Sequence, residues 1–169
     1  ETIAKYSLSI NDLVLKIMKL ILASLNLDVE TFYESDFKKC EAYLRINGYS
    51  SHGKSIGEVA LGSHADLGLV TILCQDEKGG LQIRSKEGKW LSIKPTSNSL
   101  VVNLGDSLKV WSNGRYCSSH HRVICNGWMD RMSIGLFYVF PNDREIWAPP
   151  ELVDEENPRR YKPFIFSDM

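Results

Sequence analysis

The chain of 169 residues is 43% hydrophobic and 24% charged, which is the composition of an ordinary globular domain with a sizeable core. Its net charge of −1 argues against a nucleic-acid-binding surface, and no apolar run approaches the length needed to span a bilayer. Because none of the four cysteines forms a Cys-x-x-Cys pair, we expect a reduced, cytosolic protein without a zinc knuckle.

The first part of the chain is predicted to be helical. Apolar residues recur there at helical spacing after Ser9, a suitable N-cap, and they predict a helix over residues 10–25 that is buried along one side. Its polar face lacks the dense basic stripe of a membrane-surface helix, so we expect it to pack on the outside of the domain. A second short helix is predicted over residues 29–34.

From residue 42 onward the pattern changes to short strands separated by turn residues. Strands are predicted over residues 42–46, 70–75, 81–83, 90–93, 100–104, 121–125 and 131–140. Asn113-Gly114 is a strong hairpin signal. Strands at this spacing predict an antiparallel sandwich or jelly roll, and residues 141–169, which contain several prolines, are expected to wrap its surface.

Two residues in the stretch 62–67 suggest a metal site. His64 and Asp66 are two positions apart, and alternate side chains of an extended backbone point to the same face. An imidazole and a carboxylate that share a face are two of the three ligands of a non-haem Fe(II) site. A His-x-Asp sequence also occurs by chance in many chains, so this hypothesis depends on a third ligand.

The candidates for the third ligand are His120 and His121. In the strand predicted there, His121 shares a face with Val123 and Cys125, whereas His120 shares one with Arg122. The first face is the better inward face, so we predict His121 as the ligand and His120 as its exposed neighbour. The alternative is that His121 is a hydrogen-bonded core histidine without a metal. His52, in a polar loop, is interpreted as a solvated residue.

A candidate anion site lies on the strand predicted over residues 131–140. Arg131 and Ser133 are polar and share one face of a strand whose other residues are mostly apolar, as in a buried strand. A buried arginine requires an anionic partner, and its planar guanidinium matches a carboxylate in two hydrogen bonds. The alternative is an ordinary salt bridge to Asp or Glu. Phe137 continues the same face and could line an adjoining cavity.

These motifs together resemble those of the plant-type 2-oxoglutarate- and Fe(II)-dependent dioxygenases. The resemblance runs from about residue 42 to residue 164, and it rests on the order and spacing of His64-x-Asp66, His121-Arg122-Val123 and Arg131-x-Ser133. Supporting blocks of the same family occur at residues 69–76, 80–82, 88–90, 102–106 and 112–116. The tail, residues 151–164, resembles the subgroup that contains auxin-oxidising and glucosinolate-modifying dioxygenases.

The resemblance implies a fold and a set of ligands. The fold would be mainly β, a double-stranded β-helix (jelly roll) over residues 42–140, with the N-terminal helix packed on it. His64, Asp66 and His121 would bind Fe(II), and Arg131 and Ser133 would hold the distal carboxylate of 2-oxoglutarate. Two further residues match family positions. Tyr49, in Asn47-Gly48-Tyr49-Ser50, would reach the same carboxylate although the usual following proline is absent, and Phe137 would contact the substrate.

The implied activity is oxidation of a small organic molecule. O2 is the co-substrate, ascorbate a reductant, and succinate and CO2 are released. We expect residues 1–169 to form a single catalytic-core domain, and the family's further N-terminal region implies that this chain is a fragment or a shortened form. Two alternatives are a relative of the same fold that does not use 2-oxoglutarate and a non-catalytic jelly-roll module that binds small molecules.

Overall fold

A computed structural model describes residues 1–50, 52–53, 55–127 and 130–168. The helices are α1 (Thr2–Ser24), α2 (Val29–Phe32) and α3 (Asp106–Trp111), with a π-helical turn over Tyr33–Phe37 and 3-10 turns over Pro150–Leu152 and Phe166–Asp168. The strands are β1 (Glu41–Tyr49), β2 (Val59–His64), β3 (Val70–Gln75), β4 (Leu81–Arg84), β5 (Trp90–Ser92), β6 (Val101–Leu104), β7 (His121–Ile124), β8 (Arg131–Val139), β9 (Glu145–Ile146) and β10 (Phe164–Ile165). No helix in these ranges is both long and apolar enough to cross a membrane.

Eight of the strands form two four-stranded antiparallel sheets. The first sheet has the order β1-β8-β3-β6, and the second has the order β2-β7-β4-β5. Successive strands therefore alternate between the sheets, apart from the β4–β5 hairpin, and residues of both sheets line one cavity. This is the arrangement of a double-stranded β-helix, so the predicted fold class is confirmed.

Helix α1 packs against the outer face of the first sheet, as the amphipathic pattern predicts. Val14, Met18 and Leu22 are fully buried in one cluster with Ile72 of β3 and Leu136 of β8. The opposite side of the sheet carries the residues of the cavity. The helix thus supports the strands from behind and leaves the cavity face open.

The predicted start of this helix, with Ser9 as its N-cap, is wrong. Helix α1 begins at Thr2, and Ser9 is an exposed residue inside it. The reason is that the buried stripe extends upstream: Tyr6 lies four residues before Ile10 and packs against the same core. An ion pair of 2.7 Å between Lys5 and Glu1, with i,i+4 spacing, lies at the start of the helix, before the predicted N-terminus.

The second predicted helix is present but changes type. Helix α2 is capped by the Asp28 carboxylate, which accepts a hydrogen bond of 2.8 Å from the amide of Thr31. Instead of ending near residue 34, the chain continues through the π-helical turn 33–37 and places Phe37 in the core. Phe37 packs edge-on against Trp111 of α3, with ring centroids 4.8 Å apart. The wider turn thereby links the N-terminal helices to the barrel.

The hairpin predicted at Asn113-Gly114 is also wrong. Both residues have positive φ, +53° and +78°, but they end helix α3, and the Gly114 amide donates to the Lys109 carbonyl over 2.8 Å. The residues that end an α-helix in the left-handed conformation and the residues of a type I′ hairpin turn both have positive φ, so the dipeptide alone does not distinguish the two structures. The side-chain amide of the buried Asn113 also donates to the carbonyl of Leu152 over 3.0 Å and fixes the C-terminal segment.

Candidate metal centre and anion site

The structure brings His64, Asp66 and His121 together at one end of the cavity. His64 ends strand β2, Asp66 follows two residues later, and His121 begins strand β7 as the direct cross-strand neighbour of His64. One ligand atom from each of the three side chains lies within 4.8 Å of the others. The Oδ1 atom of Asp66 is 4.0 Å from Nε2 of His64 and 3.8 Å from Nε2 of His121.

The alternation of β7 separates the two neighbouring histidines as predicted. His121 and Asp66 are each 7% exposed, and Val123 and Cys125 are buried on the same side of the strand. His120 is exposed and lies outside the cluster, as does the exposed His52. Of the four histidines, His64 and His121 are therefore the two that form the predicted cluster with Asp66.

Backbone carbonyls orient both imidazoles. Nδ1 of His64 is 2.9 Å from the carbonyl oxygen of Gly62, and Nδ1 of His121 is 3.2 Å from that of Ser119. A carbonyl oxygen only accepts, so Nδ1 is the donor in each contact, and in the neutral form of such a ring Nε2 has the lone pair. Both lone pairs belong to the nitrogens that lie nearest to Asp66. This second contact is the usual way in which proteins fix a metal-binding histidine.

The electrostatics of the cluster favour a cation. Burial lowers the pKa of His121, against the opposing effect of the Asp66 carboxylate, so the neutral imidazole is favoured. The Oδ2 atom of Asp66 is buried and finds no hydrogen-bond donor in the described part of the chain. A buried carboxylate with an unpartnered oxygen between two imidazoles is costly without a positive charge. These residues thus fit a divalent metal with nitrogen and oxygen ligands.

Asp66 lies on a loop that is fixed to the start of helix α3. The amide of Asp106 donates to the carbonyl of Asp66 over 2.8 Å, and the amide of Ser107 donates to that of Leu67 over 3.1 Å. The first turn of an α-helix has free amides, and here they hold the loop that carries the carboxylate. Neither helix α3 nor strand β2 was predicted from the sequence.

The guanidinium of Arg131 is buried and forms no salt bridge within the described part of the chain. Arg131 is 5% exposed and Ser133 is 3% exposed, and no carboxylate of the described residues pairs with Arg131. One terminal nitrogen donates to Ser133 Oγ over 3.1 Å, and the other donates to Gln75 Oε1 over 3.2 Å. The Nε atom is buried and has no hydrogen-bond partner among the residues that the structure describes. The alternative of an ordinary salt bridge is therefore not what the described residues form.

The two aromatic residues named from the sequence both line the cavity. Tyr49 is the cross-strand partner of Arg131, and its ring centre lies 4.9 Å from the guanidinium carbon. Phe137 stacks on Tyr43 of β1, with ring centroids 5.1 Å apart and an interplanar angle of 11°. Tyr49 therefore lies beside Arg131, while Phe137 and Tyr43 form an aromatic wall farther along the same strands.

The cluster of His64, Asp66 and His121 shares one cavity of about 560 Å³ with Arg131 and Ser133. Its lining includes the three clustered residues together with Arg45, Tyr49, Arg131, Ser133 and Phe137. Arg45 is exposed, and no side-chain hydrogen bond or ion pair involves it in the described part of the chain. Roles for Arg45, Tyr43 and Gln75 were not predicted from the sequence. The alternation of side chains along β1 could have indicated Arg45 and Tyr43, because both share a strand face with Tyr49.

Comparison with known proteins agrees with this geometry. The family model of the 2OG-Fe(II) oxygenase superfamily matches residues 40–139. The 2-oxoglutarate-dependent dioxygenase DAO of Oryza sativa subsp. indica is 35% identical over 170 residues, which cover 99% of this chain and 55% of the relative. A gibberellin 20-oxidase-like protein of Arabidopsis thaliana is 39% identical over 164 residues, covering 88% of this chain and 50% of the relative.

Solved structures give the same result. The crystal structure of the dioxygenase for auxin oxidation of rice superposes with a TM-score of 0.87 at 34% identity, over 99% of this chain and 56% of the other. The structure of JOX2 in complex with 2OG, Fe and JA superposes with a TM-score of 0.87 at 33% identity, over 98% of this chain and 49% of the other. This chain spans about half the length of the curated relatives it matches. The predicted resemblance is confirmed, and the chain belongs to the 2OG-Fe(II) oxygenase superfamily.

Proposed function

We propose that this chain, residues 1–169, is the catalytic core of an oxygenase that uses Fe(II) and 2-oxoglutarate to oxidise a small organic molecule. The observation that carries the proposal is the set of residues that line one cavity. It contains a cluster of two histidines and one carboxylate, and also a buried arginine that no acidic side chain of the described residues neutralises. The first suits a metal, and the second suits the distal carboxylate of a 2-oxoacid.

His64, Asp66 and His121 would hold the iron. The Nε2 atoms of the two imidazoles and the carboxylate of Asp66 form a donor set typical of non-haem Fe(II) oxygenases. Bound there, the iron and 2-oxoglutarate would supply the electrons for reduction of O2, with one oxygen atom going to succinate as CO2 is lost and the other to a C–H bond of the substrate. The carbonyls of Gly62 and Ser119 keep both imidazoles in the tautomer that ligation requires.

Arg131 and Ser133 would bind the distal carboxylate of 2-oxoglutarate. The guanidinium offers a planar pair of donors, and the Ser133 hydroxyl adds a third on the same strand face. Tyr49 lies over the guanidinium, so we assign it to the wall of the oxoacid site. Because Arg131 is buried, this charge acts at low effective dielectric, and a neutral oxoacid tail should bind much more weakly.

The cavity also indicates the class of substrate. Phe137 lines the cavity and stacks on Tyr43 to form an aromatic wall, and Arg45 supplies an exposed positive charge without a partner in the described chain. We propose a small organic acid whose apolar body lies on this wall and whose carboxylate meets Arg45. The names of two structural neighbours are consistent with this class, since one is called a dioxygenase for auxin oxidation and the other was solved with JA.

Two other proposals follow from the sequence. We propose a cytosolic location, because all four cysteines are free, and we propose no nucleic-acid partner, because the net charge is −1.

A relative that does not use 2-oxoglutarate would share the metal cluster but would release no succinate. A non-catalytic binding module would bind small molecules without turnover.

The test is substrate-dependent formation of succinate by the full-length protein with Fe(II), ascorbate and 2-oxoglutarate. A panel of small aromatic and alicyclic carboxylic acids is compared with the corresponding primary amides, which keep the body and remove the charge. We expect succinate and oxidised product in equal amounts with at least one acid and much less with its amide. Product formation without succinate would favour the oxoacid-independent relative. Binding of the metal and the acids without any turnover would favour the binding module.

A further inference from the structure

The end of strand β3 contacts both the side chain and the backbone at the start of strand β8. Gln75 is the last residue of β3 and the cross-strand partner of Ser133. Its Oε1 atom accepts a hydrogen bond of 3.2 Å from Arg131. The next residue, Asp76, accepts a hydrogen bond of 2.6 Å from the amide of Met132 and donates its own amide to the Met132 carbonyl over 3.2 Å.

These contacts hold the anion site from a neighbouring strand. Arg131 and Ser133 belong to β8, and Tyr49, which lies over the guanidinium, belongs to β1 on the other side. Gln75 therefore completes a set of neighbours drawn from three adjacent strands. A long arginine side chain has many rotamers, so its orientation in a binding site depends on such contacts.

The neutrality of these neighbours is the decisive chemical feature. The side chains that contact the guanidinium are a hydroxyl, an amide and an aromatic ring, and no carboxylate of a described residue pairs with it. An amide carbonyl orients the guanidinium and leaves its charge available to a ligand. A carboxylate at the same position would form an internal salt bridge and would compete with any incoming anion.

We propose that Gln75 is a positioning residue of the oxoacid site: its carbonyl fixes the guanidinium of Arg131 without neutralising it, while Asp76 fixes the adjacent backbone of β8. This inference rests on the proposed function, in which Arg131 binds the distal carboxylate of 2-oxoglutarate. It adds a residue outside the metal cluster and the Arg-x-Ser pair, and it assigns to β3 a part in cofactor recognition.

The test compares two substitutions in the full-length protein. Gln75→Glu keeps the shape and adds the competing charge, whereas Gln75→Met keeps the length and removes the hydrogen bond. Binding is measured by calorimetry with Mn(II) in place of Fe(II), using two ligands. 2-Oxoglutarate has the distal carboxylate, and 2-oxopentanoate has the same carbon chain without it. Thermal unfolding of each variant reports on folding.

The chain offers a matched control in Gln82. Its Oε1 atom accepts a hydrogen bond of 2.9 Å from Arg122, so it is also an amide–guanidinium pair between neighbouring strands. Arg122 stacks on Trp90, and neither member of the pair lines the cavity. Gln82→Glu therefore introduces the same charge beside an arginine, but away from the proposed oxoacid site.

For Gln75→Glu we expect about a tenfold loss of 2-oxoglutarate affinity, and for Gln75→Met a loss of roughly threefold. Affinity for 2-oxopentanoate should stay unchanged in both, and Gln82→Glu should bind both ligands like the unmodified protein. The proposal for Gln75 is overturned if Gln75→Glu keeps full 2-oxoglutarate affinity, if both ligands lose affinity equally, or if Gln82→Glu has the same effect. If the unmodified protein itself does not prefer 2-oxoglutarate over 2-oxopentanoate, the assignment of Arg131 fails first, and the role of Gln75 fails with it.

Discussion

Gly105 packs so closely against the loop of Asp66 that a Cβ atom at this position would lie 2.9 Å from the Asp66 carbonyl oxygen and 2.0 Å from that of Gly68. The contact is with backbone, which cannot rotate away. Gly105 is also the residue that precedes helix α3, whose first amides hold the same loop. The identity of residue 105 and the position of the Asp66 carboxylate are therefore linked.

We predict that Gly105→Ala weakens metal binding because the added methyl group displaces the loop of Asp66. The affinity for Mn(II), measured by titration calorimetry on the full-length protein, should fall by at least about tenfold, since misplaced metal ligands cost this much or more. The melting temperature should fall as well, because the clash is with buried backbone.

The control is Gly62→Ala, in the strand that ends at His64. A Cβ atom at Gly62 would meet nothing within 4 Å, and its φ is not in the left-handed region. We expect this variant to bind Mn(II) normally. Normal affinity in Gly105→Ala would show that the loop adapts and that the close contact does not position the carboxylate.

The second prediction separates the two adjacent histidines of β7. His121→Ala removes one of the three clustered side chains and should lower Mn(II) affinity by more than about 100-fold, since even the outer partners of metal ligands contribute about 10- to 100-fold. His120→Ala should leave the affinity unchanged, because His120 is exposed and lies outside the cluster. Equal losses in the two variants would contradict the assignment of His121.

The third prediction concerns Arg45 and the proposed acid substrate. Arg45→Met keeps an apolar chain of similar length and removes the charge, so KM for an acid substrate should rise by roughly tenfold or more, which is the value of one charge-assisted hydrogen bond. The amide of the same acid should show no such increase. The measurement is steady-state product formation with both members of an acid–amide pair. A parallel increase for the acid and the amide would indicate altered cavity shape rather than lost charge recognition.

Hydrophobic runs and side-chain alternation predicted the features that depend on residues close together in the sequence. The bounds of β3, residues 70–75, were predicted correctly because a continuous apolar run between turns is typical of a buried strand. Alternation also separated His121 from His120, since burial on one strand face has a period of two. The predictions failed where the same local signal serves two structures, as it does in Asn113-Gly114.

Other features depend on contacts between distant parts of the chain. Strand β2 is mostly exposed and contains Gly62, so its six residues lack the alternation of a half-buried strand. Its existence follows from pairing with β7, about sixty positions later in the sequence. The hydrogen bond between Gln75 and Arg131 likewise joins residues 56 positions apart, and no periodicity within either strand indicates it. Such contacts require the register of the whole sheet.

The fourth prediction tests whether helix α1 stabilises the barrel through its buried face. Met18 is 0% exposed and packs in the cluster that contains β3 and β8, whereas Leu20, two residues along the same helix, is 70% exposed. Met18→Ala should lower the free energy of unfolding by about 2–5 kcal/mol, because it removes buried atoms and leaves a cavity. Leu20→Ala should change it by less than about 0.5 kcal/mol, since alanine has a helix propensity at least as favourable as leucine and little burial is lost.

Urea denaturation of the full-length protein, followed by circular dichroism, measures the free energy of unfolding of both variants. Similar values for the two variants would mean that the helix does not use this face to hold the sheet, and that its contact with the strands behind the cavity adds little to their stability.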